Sequence, residues 1–502
     1  MFSTVKKIFL LDILEAIPDE DWRRNWICYG KTIMLRMTSK NAQLIIDKMQ
    51  LHVNVSLTFN SINKSWNLDD KMLKIMMSYL SKHRHNVSLK IINKGMIESH
   101  LKVIEHISLV NLNLSCNDIG PDKINYIAFA LRYNTSLVTL NLNRNNIGYS
   151  GVSKISQLLS QFKKLSRLEL NSNNIGDIGA TDLSKVISQC NNLTFLDISD
   201  NKIGPIGANS LAQVLNHTSL TSLKLYDNNL GPNGVGSILA KLAQTQTQTQ
   251  TQTQTQTQTQ TQTQTQTQNT TLTDLNLSFN MIGSDGMNTL LKVIKQPILI
   301  TILHLFGNKI ESDGAVILAN ILVQFPALIS LNIGANQIGS NGTESLAAMF
   351  KHCTSLSSID FSLNNIGDNG TTSLAQMLGD NLALTDLNLY YNKIGSPGII
   401  SLADGLAQQK VAIKNLNLGM NCIGPEGAIS FTKMLLQNKS LTKLYFANNN
   451  IGDIGANRFS RVIPYNTSLT FLNLSRNNIG DNQISNLSRV LANSSTICKY
   501  YL

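Results

Sequence analysis

LNLNRNNIGYSG (residues 140–151) returns as LELNSNNIGDIG at 168–179 and as LDISDNKIGPIG at 196–207. The three stretches share the block L-x-L-x-x-N-x-I-G-x-x-G, and the asparagine at its sixth position marks each copy. Thirteen copies occur, and their asparagines recur along the chain with a period of 28, broken only by single intervals of 27, 29 and 52. Copies that keep one phase over so many units predict an array of stacked repeats. The marker asparagines are Asn117, Asn145, Asn173, Asn201, Asn228, Asn280, Asn308, Asn336, Asn364, Asn392, Asn421, Asn449 and Asn477.

Each repeat is predicted to contain a strand, a turn, a helix and a return. The L-x-L alternation places both leucines on one side of a short strand and the residue between them on the other side. The marker asparagine can hydrogen-bond backbone groups that the turn leaves unpaired, so we expect the asparagines to stack into a ladder. Ile-Gly turns the chain, and the apolar spacing of GANSLAQVLNHTSL, which begins at Gly207, indicates one face of a helix. One repeat cannot bury its apolar face alone, so neighbouring repeats must pack together.

The block and its 28-residue spacing resemble leucine-rich repeats of the ribonuclease-inhibitor type, over residues 109–497. The resemblance implies an α/β solenoid in the shape of a curved horseshoe, with a parallel sheet on the concave face and helices on the convex face. Three positions depart from the pattern. Glu311 replaces the first glycine of one repeat, and Lys123 and Gln483 replace the second glycine of the first and last repeats. Terminal repeats of an array are usually atypical, so Lys123 and Gln483 fit the two ends of the array.

A strict Gln-Thr alternation occupies residues 244–268. Leu211 is followed nine residues later by Leu220, whereas the corresponding leucines, Leu239 and Leu272, are further apart by twelve Gln-Thr dipeptides. The repeat phase resumes beyond the run, which a linker between independent domains has no reason to preserve. Extra length in an exposed loop costs only about 0.6 kcal/mol for each doubling. The sequence therefore predicts one solenoid over 109–502, with a disordered insertion at 244–268 between a helix and the next strand.

Residues 51–108 carry a decayed form of the pattern. The segments 55–59, 87–91 and 110–114 are typical of strands, and 69–80 and 97–107 are typical of helices. We expect degenerate repeats here, which cap the N-terminal end of the array.

Residues 1–50 are predicted to form a small helical segment. Apolar residues follow a helical spacing over 9–34, and a second helix is expected to begin after Pro18. The segment resembles an F-box, which implies docking to a Skp1-type ubiquitin-ligase adaptor, but Val5-Lys6 stands where the F-box opens with Leu-Pro. The alternative, which we favour, is a helical cap over the first repeat. The residues that carry the F-box resemblance are Ile13, Leu14, Ile17, Pro18, Asp21, Arg23, Arg24, Ile27 and Cys28.

The composition of the chain argues against a nucleic-acid-binding protein, a membrane protein and a disulfide or zinc protein. The net charge is +11, but we see no dense Lys/Arg run with interleaved aromatic residues, so a solvated basic surface is favoured over a nucleic-acid partner. No apolar run approaches the ~18 residues of a membrane span, so no membrane partner is expected. The six cysteines are far apart, which argues against disulfides or a zinc site and for a reducing, cytoplasmic location.

A search for catalytic motifs finds none. The eight histidines form no metal-spaced set, and no G-x-x-x-x-G-K-[ST] phosphate loop is present. NRNNIG (143–148) and SRNNIG (475–480) loosely resemble the Arg-Asn loop of leucine-rich Ran-GTPase activators, but Asn145 and Asn477 are predicted ladder residues. We therefore predict a protein that is not an enzyme and that needs no cofactor or metal.

The predicted concave face supplies candidate binding residues, taken from the outward residue of each L-x-L and the two residues after the block's second leucine. In later repeats these positions are apolar or aromatic, which often marks a protein interface. The alternative is that scattered exposed apolar residues are normal. In early repeats Glu169, Asp197, Asp200 and Asp227 form either an acidic surface for a basic partner or an ordinary solvated face, which we favour. The candidate partner-binding residues are Tyr226, Phe279, Phe306, Leu363, Tyr390, Tyr391, Met420 and Tyr445.

Three hypotheses about function follow. The favoured one is a non-enzymatic scaffold that binds a protein partner in the concave face of the solenoid. The second is an F-box-type substrate receptor of a ubiquitin ligase, in which residues 1–50 bind the adaptor. The third and least favoured is a regulator of a small GTPase.

Overall fold

The computed structural model describes residues 27–29, 32–35, 55–60, 87–92, 109–255, 271–408 and 411–502. The chain divides into two compact units. The N-terminal unit comprises Met1–Ile203 with His217–Thr221, and the C-terminal unit comprises Gly204–Asn216 with Ser222–Leu502. Both are built from repeats of one strand and one helix.

In the N-terminal unit, two short antiparallel strands precede a parallel sheet. Ile27 of β1 lies opposite Met34 of β2, and β2 then pairs in parallel with β3. Parallel pairing continues in chain order from β3 to β8, in the register Leu140 to Leu168 to Leu196 for the last three strands. The strands are β1 Ile27–Tyr29, β2 Thr32–Leu35, β3 Val55–Asn60, β4 Val87–Ile92, β5 Leu109–Asn113, β6 Thr139–Asn141, β7 Arg167–Glu169 and β8 Phe195–Asp197, and the helices are α1 Gly120–Leu131, α2 Gly148–Leu159 and α3 Gly176–Ile187.

In the C-terminal unit, ten strands form a parallel sheet in chain order. They are β9 Ser222–Lys224, β10 Asp274–Asn276, β11 Ile302–His304, β12 Ser330–Asn332, β13 Ser358–Asp360, β14 Asp386–Asn388, β15 Asn415–Asn417, β16 Lys443–Tyr445, β17 Phe471–Asn473 and β18 Lys499–Tyr501. The helices are α4 Pro205–Val214, α5 Gly231–Thr255, α6 Gly283–Val293, α7 Glu311–Leu322, α8 Gly339–Phe350, α9 Gly367–Asp380, α10 Ser396–Leu406, α11 Gly424–Gln437, α12 Gly452–Val462 and α13 Asp481–Ala492.

The core of each unit lies between its sheet and its helices. Leu331 of β12 and the following Ile333 are buried, as are Leu346 and Phe350 on one face of α8. The same positions are buried in the other repeats, because the strand alternates with a period of two while the helix repeats every three or four residues. The predicted repeat of strand, turn and helix is therefore confirmed.

The marker asparagines are buried in the turns that follow the strands. In one of them, the Asn364 amide nitrogen donates hydrogen bonds to the Ile333 and Phe361 carbonyl oxygens, both at 2.9 Å. The Asn364 side-chain oxygen accepts a hydrogen bond from the Asn336 backbone N–H at 2.8 Å. Equivalent bonds join successive asparagines from Asn117 to Asn201 in the N-terminal unit and from Asn280 to Asn477 in the C-terminal unit.

Two further sets of bonds between repeats were not predicted. Serine and threonine hydroxyls just before the strands donate to the carbonyl of the preceding repeat, as Thr442 does to Lys414 at 3.0 Å. In addition, the Asp368 carboxylate of one repeat accepts hydrogen bonds from the Gly395 and Gly398 N–H groups of the next, at 2.7 and 2.9 Å. An anion at the first turn of a helix stabilises it.

The predicted strands at 55–59, 87–91 and 110–114 are confirmed by β3, β4 and β5. The helices predicted at 69–80 and 97–107 lie outside the described residues. Within the segment predicted to be helical, the described residues 27–29 and 32–35 are strands instead. In the sequence, Gly30 and Lys31 separate β-branched and aromatic residues, which is a hairpin pattern that also fits a helical spacing.

The Gln-Thr run lies inside the C-terminal unit. The strands on either side of it pair directly, with Leu223 of β9 opposite Leu275 of β10. Helix α5 extends into the run as far as Thr255, and residues 256–270 lie outside the described part. Residues 244–255 are thus helical where disorder is predicted, while the disorder of 256–268 and a single solenoid over 109–502 stay predictions.

Candidate partner-binding face

The strands leave one face of each sheet open. In β12 the middle residue, Leu331, is buried, whereas Ser330 and Asn332 on the other side are only half-buried. We call this side, together with the two residues that follow the block's second leucine in the turn, the open face. All eight candidate binding residues lie on the open face of the C-terminal unit, and none of them is fully buried.

Three of the candidates form a continuous line of rings, which we call the aromatic row. The Tyr226 and Phe279 rings meet edge to face with their centroids 5.3 Å apart. Phe279 and Phe306 are also 5.3 Å apart, in a tilted arrangement. Such geometries are favourable for aromatic pairs, so the row stabilises itself across three consecutive repeats.

The rings also cover glycines of the next repeat. A Cβ atom on Gly307 would lie 2.6 Å from the Phe279 ring, and one on Gly334 would lie 2.7 Å from the Phe306 ring. Tyr390 approaches Gly419 in the same way, at 3.2 Å. In each case the aromatic residue and the glycine occupy the same position of successive repeats, a regularity that is visible in the sequence but that we had not read. These rings therefore have a packing role.

The second group, which we call the tyrosine patch, comprises Leu363, Tyr390, Tyr391 and Met420. The Leu363 N–H donates to the Tyr390 carbonyl, and the Tyr391 N–H donates to the Gly419 carbonyl, both at 2.9 Å. Leu363, Tyr391 and Met420 thus occupy equivalent positions of three adjacent repeats, each with a positive φ. Tyr391 is 45% exposed and Leu363 is 38% exposed.

Tyr445 belongs to a different group. Its ring lies 4.6 Å from that of Phe471 on the neighbouring strand, and Phe471 lies 5.9 Å from Tyr501. Phe471 was missed because it is the first residue of its strand, and we had considered only the residue between the two leucines and the two residues in the turn. Phe195 was missed for the same reason, and the Arg167 guanidinium lies 3.5 Å from the centre of its ring.

A charged cluster lies beside the aromatic row. The Lys224 ammonium forms an ion pair with Asp274 at 2.5 Å, and the Ser222 hydroxyl donates to the same carboxylate at 2.9 Å. His304 Nε2 lies 3.9 Å from Asp274. Burial lowers the pKa of His304, and the nearby Lys224 lowers it further, while Asp274 and Asp360 oppose them. The imidazole is therefore neutral near pH 7.

The acidic group proposed in the early repeats is partly neutralised within the fold. Glu169 forms an ion pair with Arg167 at 2.5 Å and accepts hydrogen bonds from the Asn141 and Asn143 side chains at 2.7 and 3.1 Å. Asp200 accepts a hydrogen bond from the Ser172 hydroxyl at 2.6 Å. A carboxylate held by an internal cation contributes little to the attraction of a basic partner, which supports the solvated-face interpretation.

The described residues provide no cluster of His, Cys, Asp and Glu that could hold a metal ion. Among the helices that the structure describes, none combines the length and apolar character needed to cross a membrane.

A comparison with protein families gives a direct match to this repeat. The model of the family described as "Leucine Rich repeat" matches eleven segments that together make up half of the chain. The chain belongs to the leucine-rich repeat family. The matched segments are residues 133–156, 163–184, 189–212, 216–239, 268–291, 298–319, 352–375, 381–403, 413–431, 437–460 and 465–486.

Several solved structures are similar to the chain at low identity and with TM-scores below 0.5. A TLR13–ssRNA13 complex is 18% identical and covers 89% of this chain and 55% of its own, with a TM-score of 0.48. The yeast Rad7–Elc1 complex is 14% identical and covers 89% of this chain and 94% of its own, with a TM-score of 0.43. An internalin (inlF) from Listeria monocytogenes is 17% identical and covers 92% of this chain and 94% of its own, with a TM-score of 0.40. No curated protein matches the chain.

The predicted fold class, an α/β leucine-rich repeat solenoid, is thereby confirmed. Leucine-rich repeat solenoids generally mediate protein–protein interaction, and members of the family are typically non-enzymatic. The ribonuclease-inhibitor subtype and the horseshoe curvature stay predictions, as do the eight candidate binding residues.

Proposed function

We propose that the chain is a non-catalytic scaffold that binds a partner protein through the open face of its C-terminal unit, with the tyrosine patch as the principal contact. General support comes from the family, whose solenoids typically present binding surfaces. Exposed clusters of apolar and aromatic residues are a common mark of such surfaces.

One observation carries the proposal. Leu363 and Tyr391 remain 38% and 45% exposed although they lie side by side in adjacent repeats. Phe279 and Phe306 cover a glycine of the next repeat, but no such role falls to Leu363 or Tyr391. The ring centroids of Tyr390 and Tyr391 lie 6.3 Å apart, and the exposed part of Tyr391 faces solvent. A tyrosine held in this way offers a large apolar area and a hydroxyl at low entropic cost, as interface residues commonly do.

The test replaces both side chains by asparagine, as Leu363→Asn with Tyr391→Asn. Both residues have a positive φ, of 62° and 56°, and asparagine tolerates this conformation better than other residues with a side chain. The variant should therefore fold as well as the parent. The control is Tyr465→Asn, which removes a 70% exposed tyrosine outside the open face.

The tagged full chain and each variant are used to recover partners from cells that express the protein naturally, with quantitative mass spectrometry. We expect the double variant to recover at least about tenfold less of the partner than the parent chain does, since central interface anchors contribute about 2 kcal/mol or more to the binding free energy. The control should stay within twofold. A double variant that recovers the partner as well as the control does would refute the proposal.

The F-box-type alternative depends on residues 1–50, of which only 27–29 and 32–35 are described, and these are strands. It would be supported by recovery of a Skp1-type adaptor that is lost when residues 1–50 are deleted. The GTPase-regulator alternative depends on the loops around Arg144 and Arg476. A lack of GTPase stimulation by the purified chain would exclude it.

A further inference from the structure

We propose that the open face of β16, β17 and β18 is a platform that binds single-stranded nucleic acid. The proposal does not depend on the tyrosine patch and concerns a separate part of the open face. It departs from our expectation, based on the sequence, that nucleic acid is not a partner.

The outward residues of these strands form two rows in strict register. Lys443, Phe471 and Lys499 are the first residues of the three strands and lie opposite one another. Tyr445, Asn473 and Tyr501 are the third residues and form the second row. Adjacent strands lie about 4.8 Å apart, so lysines and aromatic rings alternate over a compact area.

The rings are positioned for stacking with planar groups. Tyr445 and Phe471 are 4.6 Å apart at an angle of 40°, and Phe471 and Tyr501 are 5.9 Å apart. Tyr445 and Phe471 are half-buried, and Tyr501 is 45% exposed. Nucleobases stack on aromatic side chains of this kind whatever their sequence, because each base has a π-face.

The charge of this region is strongly positive. Residues 411–502 contain nine Lys or Arg and three Asp or Glu, a net +6 of the chain's +11. Lys443 and Lys499 are exposed, and neither forms an ion pair within the described part of the chain. The Lys499 ammonium lies 5.4 Å from the centre of the Tyr501 ring, and its interaction with the Tyr501 side chain raises the pKa of Lys499. None of the six outward residues of the two rows is acidic.

Alternating rings and cations match a ligand that alternates planar bases and phosphates. A duplex hides its bases in the stack and offers only phosphates to such a surface, so the rings favour a single strand. An acidic protein segment would satisfy the lysines but would supply no regular series of planar groups. The chemistry therefore favours single-stranded nucleic acid over these two ligands.

The repeat explains why the sequence showed no basic run. One position of three successive repeats supplies the first row, Lys443, Phe471 and Lys499. Another position of the same repeats supplies the second row, Tyr445, Asn473 and Tyr501. Each repeat therefore contributes only one or two residues, and the sheet brings them together. A search along the chain for dense runs of lysine and arginine cannot detect a surface of this kind.

The experiment measures fluorescence anisotropy of a labelled decathymidylate with the purified full chain. Labelled duplex DNA of the same length and labelled polyglutamate are the comparison ligands. One variant combines Lys443→Gln with Lys499→Gln, and its control combines Lys433→Gln with Arg461→Gln, which removes the same charge from exposed helix positions. A third variant, Tyr445→Leu with Tyr501→Leu, keeps apolar side chains but removes two rings. Thermal unfolding verifies that each variant is folded.

We expect the single strand to bind more tightly than the duplex or polyglutamate. Binding should weaken at least tenfold in the lysine variant and about fivefold in the leucine variant, and less than twofold in the control. The slope of log affinity against log salt concentration should fall by about 1.4 in the lysine variant, since each phosphate contact on a single strand contributes about 0.7. Undetectable binding, equal losses in the control, or equal binding of polyglutamate would each overturn the proposal.

Discussion

Replacement of one ladder asparagine should destabilise the C-terminal unit far more than the loss of an exposed hydrogen bond does. We consider Asn364→Ala. The Asn364 side chain is fully buried, and its oxygen accepts hydrogen bonds from the N–H groups of Asn336 and Ile338, at 2.8 and 3.4 Å. Its amide nitrogen donates to the carbonyls of Ile333 and Phe361. Alanine leaves the two N–H groups without this acceptor, whereas the two carbonyls keep hydrogen bonds from the Asn336 and Asn392 side chains.

The magnitude follows from the number of groups that lose a partner. Leaving one buried polar backbone group unsatisfied costs about 1–3 kcal/mol. For two such N–H groups, one of which loses only a long hydrogen bond of 3.4 Å, we expect a loss of about 2–4 kcal/mol in the free energy of unfolding. The matched control is Thr442→Ala, which removes one exposed hydrogen bond between repeats, 3.0 Å long. Its cost should be at most about 1 kcal/mol.

Urea unfolding followed by circular dichroism gives the change in stability, and hydrogen exchange locates it. Because repeat proteins can lose neighbouring units separately, the amide of Asn336, whose acceptor is removed, should show the largest loss of protection. Destabilisation no larger than that of Thr442→Ala, or unchanged protection of the Asn336 amide, would refute this account of the ladder.

Three further outcomes are expected. In thermal unfolding, Gly307→Ala should lower the free energy of unfolding by about 1–3 kcal/mol more than Gly283→Ala does. Both glycines have a positive φ, but only a Cβ atom at 307 would collide with the Phe279 ring. Equal losses in the two variants would contradict the contact. Deletion of residues 245–268 should change the free energy of unfolding by less than about 1 kcal/mol, and a larger loss would show that the run is structural. Burial lowers the pKa of His304 below its ordinary 6.5, so below that pH the unfolded chain takes up a proton that the folded chain does not, and stability falls as the pH drops. His304→Gln should remove this part of the pH dependence, which unfolding measured between pH 7 and 5 can detect.

The repeat itself could be predicted because its signals are local. Leucines at a period of two, an asparagine at the turn and apolar residues at helical spacing identify the strand, the turn and the helix of each unit without knowledge of the others. The buried positions of β12 and α8 follow directly from this pattern. The pattern also predicted which face of each strand stays open.

The arrangement of the open face could not be predicted in the same way, because it depends on contacts between repeats. The sequence places Tyr445 with the tyrosines of earlier repeats, but its ring packs against Phe471, which belongs to the next repeat along the chain. The sequence places Glu169 in an acidic group, but its neutralisation by Arg167 depends on side-chain conformations. At residues 27–35, a short apolar segment fits both helical and strand spacing, and the Gly-Lys pair in the sequence is the signal that favours a hairpin.

The rings of Phe279, Phe306 and Tyr390 cover glycines and make three repeats dependent on the ones that follow them. If a recombination event duplicated the repeat that carries Phe279, the ring would face a second phenylalanine instead of Gly307. The units of this chain are therefore not interchangeable modules, and their order is itself under constraint. Exchange of whole repeats by evolution or by protein engineering should succeed only when the aromatic residue and its glycine move together.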